Sequence, residues 1–589
     1  MPLLDWFVLS FTLFSIVIYG IWKSKGTKNI EGYLLADKQL PWYHVGLSVM
    51  ATQASAITFL SAPGQAYSDG LRFIQFYFGL PLAMIVLCIT FIPIFRKLNV
   101  FTAYQYLEQR FDVKTRSLTA FLFLLQRGLS TGITIYAPSI ILSTIIGINI
   151  LYTTFLMGGL VILYTVYGGT KAVSYTQMFQ MSIIFGGLFI ATGVLISLLP
   201  ADIGFVDALH IAGKMDKLNT IDTTFDLKNR YNIWSGLIGG FFLQLSYFGT
   251  DQSQVGRYLT GKNSTESRLG LIMNGLIKIP MQFFILLIGT LVFVFYQYQT
   301  PPIFFNNQER KNLANTPYEA KYQQLEKNFE QKHQQKQAQV NKLVEVMKEE
   351  KNKEKKQENH QEKINIEQQK LRQIEKESQV IRTNALEIIK KNNPKADIND
   401  TNYVFLNFVM KYLPSGLVGL IIAIIFLAAM GSTASGLNSL ASTTVIDFYK
   451  RFFDRNDASD EDLLHIKGKL ALKEQKELAV SRWVTVFWGI FCVIVALFAS
   501  KLGNLIEAVN ILGSLFYGTI LGIFLVAFYL KKVGGTAVFY AAIITEAIII
   551  GIYLADIMAF LWLNVIGCLL VMLIASILEM IKRNIKKEI

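Results

Sequence analysis

Small hydroxyl side chains crowd the second half of one apolar stretch, residues 418–450. The stretch begins as VGLIIAIIFLAAMG, continues as STASGLNSLASTTVI, and holds no carboxylate before Asp447. A hydroxyl group in hydrocarbon is unfavourable without a partner, so this helix must face protein, water or a bound ion. Hydroxyls and freed backbone carbonyls are oxygen ligands that suit Na⁺. The simpler alternative is that small residues only let helices pack closely.

Two other apolar stretches carry polar interruptions. Residues 44–67 include Thr52, Gln53 and Ser55, followed by the Pro63–Gly64 pair, and residues 233–259 contain a similar interruption, LQLSYFGTDQSQ. Such a break is tolerated in a membrane helix only where it lines a cavity or is covered by protein. Interrupted segments at matching places in two halves indicate a transporter's central site. The glycines of both stretches could instead serve close helix crossing or a kink.

The composition is that of a polytopic membrane protein. The 589 residues are 52% hydrophobic and 17% charged, and the mean hydropathy is +0.38. A membrane-crossing helix needs about 20 apolar residues. About thirteen stretches qualify: 3–22, 43–62, 73–96, 118–146, 148–168, 176–199, 233–256, 269–298, 416–446, 481–500, 506–530, 536–555 and 558–581. We predict an all-α membrane protein in which spans two to six and seven to eleven form a five-plus-five inverted repeat with broken helices.

The net charge of +14 arises from basic residues clustered in alternate loops. The positive-inside rule explains this pattern better than nucleic-acid binding does. It predicts a multi-pass protein of the cell (inner) membrane, with the N-terminus outside and the C-terminus in the cytoplasm. The five His are scattered, and no nucleophile set, metal-ligand cluster or phosphate loop points to an enzyme.

Between residues 301 and 400 the composition changes to Lys, Glu, Gln and Asn. Ile364, Leu371 and Ile388 keep heptad-like spacing, and Val340 and Leu343 do so more briefly. This predicts two long helices, coiled-coil-like, folded back near residues 351–360 outside the membrane; a solvated linker is the alternative. The chain thus divides into membrane parts at 1–300 and 401–589 around an insertion, 301–400, to which an external partner could bind.

Several motifs together resemble the sodium/solute symporter family. They are AYSDGLRF (66–73), TAYQYLEQRF (102–111), GITIYAPSIIL (132–142), YTVYGGTKAVSYTQMFQ (164–180), GTDQSQVGRYL (249–259) and GSTASGLNSLAS (431–442). The third and fifth are most similar to the branch of iodide, monocarboxylate and multivitamin carriers. The resemblance implies a LeuT-type core, alternating access between the two sides of the membrane, and Na⁺ as the coupling ion.

The resemblance also implies the positions of a Na⁺ site. Family members usually carry a hydroxyl where this chain has Gly431, which leaves Ser432 as the sure hydroxyl ligand and Thr433 or Ser435 as alternative substitutes. Many members carry Asp where this chain has Gln177, in an additional Na⁺ site. We therefore expect one Na⁺ per cycle, with Gln177 bonding between helices as the simpler alternative. The implied Na⁺ ligands are Ala51, Ala54, Ala428, Gly431 and Ser432.

By the same resemblance, a substrate cavity lies beside the Na⁺ site. Tyr247 is a candidate inner gate, and Lys278 either faces the cavity and favours an anion or snorkels to an aqueous face. The expected function is Na⁺-coupled symport of a small solute, an organic anion such as a monocarboxylate. A sugar, sialic acid or amino acid is the alternative solute, and a solute sensor or a channel the alternative class. The implied substrate residues are Gln53, Thr58, Tyr77, Gln244, Tyr247 and Lys278.

Overall fold

The computed structural model describes residues 1–24, 38–98, 100–352, 358–394, 396–453 and 463–588, and it is almost entirely helical there. The helices of the first part are α1 (Leu3–Ser24), α2 (Trp42–Gln53), α3 (Ala56–Asp69), α4 (Leu80–Val86), α5 (Ile92–Lys97), α6 (Tyr104–Arg110), α7 (Val113–Ile146), α8 (Ile150–Ser197), α9 (Phe205–Lys214), α10 (Gly240–Thr250), α11 (Gln252–Tyr258) and α12 (Ser264–Tyr298). Those that follow are α13 (Asn307–Lys311), α14 (Glu319–Asn352), α15 (Glu358–Asn392), α16 (Thr401–Tyr412), α17 (Leu417–Thr443), α18 (Leu463–Phe498), α19 (Leu505–Tyr529), α20 (Gly535–Leu554) and α21 (Phe560–Glu588).

Ten helical segments of the described chain are long and apolar enough to cross a membrane, and Ile150–Val166 is a shorter apolar helix. The sequence predicted about thirteen spans. The difference lies where helices are interrupted: α2 ends after 12 residues, and α10 and α11 are separate short helices. The third predicted span that does not qualify, 148–168, corresponds to the shorter helix Ile150–Val166.

The second predicted span breaks between α2 and α3, at Ala54 and Ser55. Both residues have extended or irregular backbone angles, with ψ of 86° at Ala54 and 174° at Ser55. The Ser55 N–H bonds the Gln53 carbonyl at 3.1 Å, and the Thr58 N–H bonds the Ser55 carbonyl at 3.0 Å. In a continuous helix these two donors would bond the carbonyls of Ala51 and Ala54. The break therefore releases the carbonyls of Ala51 and Ala54.

Pro63 and Gly64 lie inside α3 and do not form the break. The glycine is required by packing, because the carbonyl oxygen of Thr401, the first residue of α16, occupies the place where a Cβ would stand. The Pro63–Gly64 pair in the sequence therefore marks this close contact. The break itself comes earlier, at Ala54 and Ser55, directly after the polar residues Thr52 and Gln53.

Helix α8 contains two predicted spans, 148–168 and 176–199, in one bent element. The Tyr164 hydroxyl lies 2.8 Å from Thr176 Oγ1 although twelve residues separate them. Along a straight helix that separation would be about 18 Å. The helix is therefore sharply bent between these residues, and its two arms correspond to the two predicted spans.

Helix α17, which carries the hydroxyl-rich stretch, lies at the centre of the molecule. It packs against α1, α7, α8 and α18, and also contacts α2, α3 and α11. All but one residue of the segment from Ile421 to Thr443 is buried. Its hydroxyls therefore face neighbouring helices rather than lipid.

The insertion forms an antiparallel pair of helices, α14 and α15, as the heptad-like spacing predicted. Val340, Leu343, Ile364 and Leu371 are buried between the pair and the membrane part, each at most 1% exposed. A second apolar cluster, which includes Phe304, lies at the base of the hairpin. The turn itself, expected near residues 351–360, lies partly outside the described residues. We call the face that carries this hairpin the insertion side.

Candidate functional site

A cavity of about 100 Å³ lies beside the break between α2 and α3. Five of the six predicted substrate residues line it. Its other walls come from α7, α10 and α19, so that both interrupted spans meet there. The lining residues are Gln53, Ser55, Ile57, Thr58, Phe76, Tyr77, Gln126, Arg127, Ser130, Leu243, Gln244, Tyr247, Ile506, Val509, Asn510, Gly513 and Tyr517.

The Gln244 side chain is fully buried in this cavity wall without a partner. Neither its amide nitrogen nor its amide oxygen makes a hydrogen bond to any described residue, and the same holds for the Gln53 amide oxygen. A buried amide whose donors and acceptor make no hydrogen bond destabilises the protein by about 1–3 kcal/mol per unsatisfied group. Groups left open in a cavity wall are available to a polar ligand.

Arg127 places a positive charge in the same wall, from the middle of α7. Its Nη1 lies 3.5 Å from Asp251 Oδ2, and the Tyr517 hydroxyl donates to the same oxygen at 2.7 Å. The Arg127 Nε has no hydrogen-bond partner in the described chain. Asp251 thus balances the charge of Arg127, while the Arg127 Nε keeps a hydrogen that no described residue accepts.

Tyr247 closes the cavity on the side of the second break. Its hydroxyl accepts a hydrogen bond of 2.6 Å from the Gln254 amide on α11, and its ring packs against Tyr517 at a centroid distance of 5.9 Å. The guanidinium of Arg127 lies 6.0 Å from the same ring. Tyr247 thus lies between the cavity and the second break, where an inner gate would have to stand. Its role as a gate stays a prediction.

Lys278 is the sixth predicted substrate residue, and it does not line the cavity. It is 0% exposed, lies behind Tyr77 with its Nζ 5.9 Å from the ring centroid, and makes no hydrogen bond within the described residues. Lys278 therefore does not snorkel to an aqueous face. Tyr77, which lines the cavity, is the contact between Lys278 and that wall.

The predicted Na⁺ ligands lie on the two elements expected of them, the break and α17. The released carbonyls of Ala51 and Ala54 are on the first, and Ser432 Oγ on the second donates to the Ala428 carbonyl at 2.8 Å. The elements touch through Thr52 Oγ1 and Ser435 Oγ, 3.2 Å apart. Carbonyl and hydroxyl oxygens are of the ligand type that an alkali cation takes, and the ligand set itself stays a prediction.

Gly431 faces α8, where side chains take the space that a hydroxyl would need. A Cβ at Gly431 would stand 2.7 Å from the Gln180 amide oxygen. The Gln180 amide oxygen therefore occupies the space that a side chain at position 431 would need.

Gln177 ties three helices together beside this site. Its amide oxygen accepts from Ser48 at 2.7 Å, and its amide nitrogen donates to Ser435 Oγ at 3.0 Å and to the Gly431 carbonyl at 3.3 Å. Arg257 on α11 also donates to Ser435 Oγ, at 2.8 Å. The interhelical bonding expected of Gln177 is confirmed, and a guanidinium stands close to where other members carry Asp.

The sequence did not assign Arg127, Asp251 and Tyr517 to the site. A charge in the apolar run FLFLLQRGLST was a signal for Arg127. The sequence holds no such signal for Tyr517, because a tyrosine in an apolar helix is ordinary. The packing of α19 on α10 is what brings Tyr517 to Asp251.

Comparisons with known proteins agree on the relationship. The family model "Sodium:solute symporter family" matches residues 33–311 and 383–545, leaving out most of the hairpin. The human sodium/iodide cotransporter is 31% identical over 299 residues, covering 50% of this chain and 45% of its own. The sodium-coupled monocarboxylate transporter 1 of Xenopus laevis is 31% identical and is covered over 44% of its length.

Other relatives match from end to end. The sodium/sialic acid symporter NanT of Aliivibrio fischeri is 25% identical over 594 residues, 99% of this chain and 95% of its own. A solved structure of a Na⁺-coupled sialic acid symporter, substrate-bound and outward-open, has a TM-score of 0.71 at 22% identity, over 98% of both chains. That likeness shows the fold.

All of these relatives are Na⁺-coupled transporters, and none is named as an enzyme. The family model covers about three quarters of the chain, on both sides of the inserted hairpin. The broken helices, the hydroxyl-rich α17 and these matches lead to one conclusion: this multi-pass membrane protein belongs to the sodium:solute symporter family, with Na⁺ as the coupling ion.

Proposed function

We propose that the chain carries a small monocarboxylate together with Na⁺ through the cavity between its two breaks. The observation that supports this most is Arg127, a buried cation whose Nε donor is unused, in the same cavity lining as the unpartnered amide of Gln244. A carboxylate accepts from a guanidinium, and an amide can bond a neighbouring hydroxyl or keto group. The site thus offers a guanidinium donor for one end of the solute and polar groups for the other.

The size of the cavity favours a solute of few heavy atoms. A cavity of 150 Å³ holds benzene, and this one measures about 100 Å³. Lactate and pyruvate are of that class. Sialic acid, which also carries a carboxylate, is the second candidate because its symporters match the chain end to end, and it requires the cavity to widen.

Na⁺ binds, on this proposal, to the carbonyls of Ala51, Ala54 and Ala428 and to Ser432. Occupation joins the break to α17 in one state of the carrier only. Differential affinity is required, because an ion bound equally in both states shifts no population. One charge moving through 100 mV contributes about 2.3 kcal/mol to accumulation, and the Na⁺ gradient adds to it.

The same proposal includes the orientation. The insertion side faces outward with the N-terminus, and the basic loops and C-terminus face the cytoplasm of a bacterial inner membrane. The basic residues beyond the last span, in the segment IKRNIKKE, support that assignment.

The test is uptake into proteoliposomes with and without an inward Na⁺ gradient. The panel contains lactate, pyruvate, sialic acid, galactose and proline. We expect Na⁺-driven uptake of lactate or pyruvate, and Arg127→Gln should reduce it at least tenfold, since a hydrogen bond to a charged group contributes about 1.5–3 kcal/mol. Uptake of galactose or proline instead, insensitive to Arg127, would contradict the monocarboxylate proposal.

A matched pair of variants tests the amide. Gln244→Leu removes the polar groups of the cavity wall and should raise the KM for the solute. Gln282→Leu is the control, because Gln282 is also fully buried with an unpartnered amide but lies on α12 outside the cavity. Equal effects of the two variants would point to folding rather than to solute binding.

A further inference from the structure

A second cavity, of about 330 Å³, lies between the hairpin and the membrane part. The ends of α3 and α12 form one wall, with the aromatic rings of Tyr67, Phe293 and Tyr296. The hairpin forms the opposite wall, with charged and polar side chains of α14 and α15. This cavity is separate from the one beside the breaks and shares no residue with it.

The charges in this cavity do not balance. Lys336 pairs with Glu375 at 2.5 Å, and Arg382 pairs with Asp400 at 2.5 Å. Lys217, which follows α9, is the third cation of the lining. Among the described residues no carboxylate lies within ion-pair distance of it. Three cations against two carboxylates leave the cavity one positive charge in excess.

Lys217 is held in place by groups that carry no full charge. Its Nζ donates to the Ser68 carbonyl and lies 4.6 Å from the centroid of the Phe293 ring. An ammonium group has three donors, so this arrangement leaves donors for a ligand. A cation that lines a polar cavity and makes no ion pair with a described carboxylate is placed to receive an anion.

Ser378 supplies an independent sign of a missing ligand. It is 6% exposed, lines the cavity from α15, and its hydroxyl makes no hydrogen bond to any residue of the described chain. A buried hydroxyl left open in a cavity wall marks a position where a ligand can bond. The Gln379 amide stands beside it in the lining.

We propose that this cavity binds a small organic carboxylate, with its charge on Lys217 and a hydrogen bond from Ser378. The aromatic wall favours an organic acid over an inorganic ion, because its carbon skeleton can pack on the rings. The site goes beyond the transport cavity and does not depend on it. A bound acid would join the hairpin to α3, the second half of the broken helix.

The proposal is tested by calorimetry on the purified full-length protein in Na⁺-free choline buffer, which keeps Na⁺-coupled binding at the transport cavity silent. The probes are choline lactate and choline succinate, with choline chloride at equal ionic strength as the reference. We expect saturable binding of a carboxylate and weaker binding of chloride. No carboxylate binding up to about 10 mM, or equal binding of chloride, would overturn the proposal.

Variants locate the binding. Lys217→Gln should lower the affinity about tenfold or more, while Lys217→Arg keeps the charge and retains binding. Lys332→Gln is the matched control, since Lys332 lies one turn before Lys336 and pairs with Glu377 outside the cavity. Unchanged affinity in Lys217→Gln would refute the site.

Two more variants keep the test decisive. Ser378→Ala on the opposite wall should weaken carboxylate binding by about threefold to tenfold. This variant tests the site even if Lys217→Gln does not fold. Arg127→Gln should leave this binding unchanged while it reduces uptake at least tenfold, which separates failure of this site from failure of the proposed transport function. Loss of calorimetric binding in Arg127→Gln would assign the heat to the transport cavity and contradict the second site.

Discussion

Ser432 is the residue whose side chain tests the Na⁺ site most directly. Removing its hydroxyl in Ser432→Ala takes away one oxygen and leaves the backbone carbonyls of Ala51, Ala54 and Ala428. We expect the Na⁺ concentration for half-maximal uptake to rise about fivefold to tenfold, with little change at saturating Na⁺. The measurement is initial uptake in proteoliposomes as a function of Na⁺.

Ser442 provides the control on the same helix. It lies ten residues further along α17, is buried, and among the described residues its hydroxyl bonds only the Ser439 carbonyl. Ser442→Ala should therefore leave the Na⁺ dependence as in the unaltered protein. If the Na⁺ concentration for half-maximal uptake rises equally in both variants, or does not rise in Ser432→Ala, Ser432 is not a Na⁺ ligand.

Lys217 makes binding in the hairpin cavity depend on pH. Burial lowers the pKa of Lys217 to about 8, and the positive charges of Lys336 and Arg72 act in the same direction, whereas Asp69 and Glu375 oppose it. Below pH 8 the ammonium is charged; above it the charge is lost. Lactate affinity in Na⁺-free buffer should therefore be constant below pH 7 and fall about tenfold per pH unit above pH 8.

Lys217→Arg is the control for this pH dependence, because a guanidinium stays charged throughout that range. Its affinity for lactate should not change between pH 7 and pH 9. The other titratable groups that line the cavity are Tyr67, Tyr296, His333, Lys336, Glu375, Arg382 and Asp400. If the arginine variant shows the same fall in affinity, one of these groups, not Lys217, carries the pH dependence.

Among the elements, α3 depends most on close packing. Gly64 lets the backbone of α16 approach, and the added methyl group of Gly64→Ala would collide with the Thr401 carbonyl. A backbone atom cannot move aside as a flexible side chain can, so we expect a loss of about 1–3 kcal/mol in stability. Thermal unfolding of the detergent-solubilised protein measures it.

Gly193→Ala on α8 is the matched substitution, since a Cβ there meets nothing within 4 Å. It should be neutral or stabilise by up to about 1 kcal/mol, as alanine does in a helix. A Gly64→Ala protein as stable as the Gly193→Ala protein would show that α3 and α16 separate easily.

The break and the cavity differ in how far the sequence could predict them. Thr52, Gln53 and Ser55 are polar in an apolar span, so local physics alone locates the break between α2 and α3. Arg127 could be recognised as unusual but not placed, because its partner Asp251 is more than a hundred residues away and only the packing of α7 against α19 decides which wall it joins. The bend of α8 likewise depends on contacts between its two arms, which hydropathy does not report.

On the scale of the whole molecule, the hairpin is attached through a narrow base. The Asn392 amide donates to the Asn312 carbonyl at 3.2 Å, so the first and last parts of the insertion touch. Replacing residues 314–391 by a linker of about six Gly and Ser residues spans this distance without strain. We expect Na⁺-driven uptake to persist and carboxylate binding in Na⁺-free buffer to disappear.

The same replacement separates a carrier from a sensor. A carrier keeps its transport path, because the cavity beside the breaks contains no residue of the hairpin. Loss of uptake by a variant that remains folded would mean that the hairpin takes part in the cycle. Thermal unfolding and size-exclusion chromatography of the variant supply the necessary check on folding.

The touching ends at Asn312 and Asn392 also bear on the history and use of this chain. A segment that leaves and re-enters at one point can be gained or lost in a single genetic event without disturbing the register of the flanking helices. The same junction accepts a circularly permuted fluorescent protein, whose emission would report in living cells when an acid joins the hairpin to the broken helix.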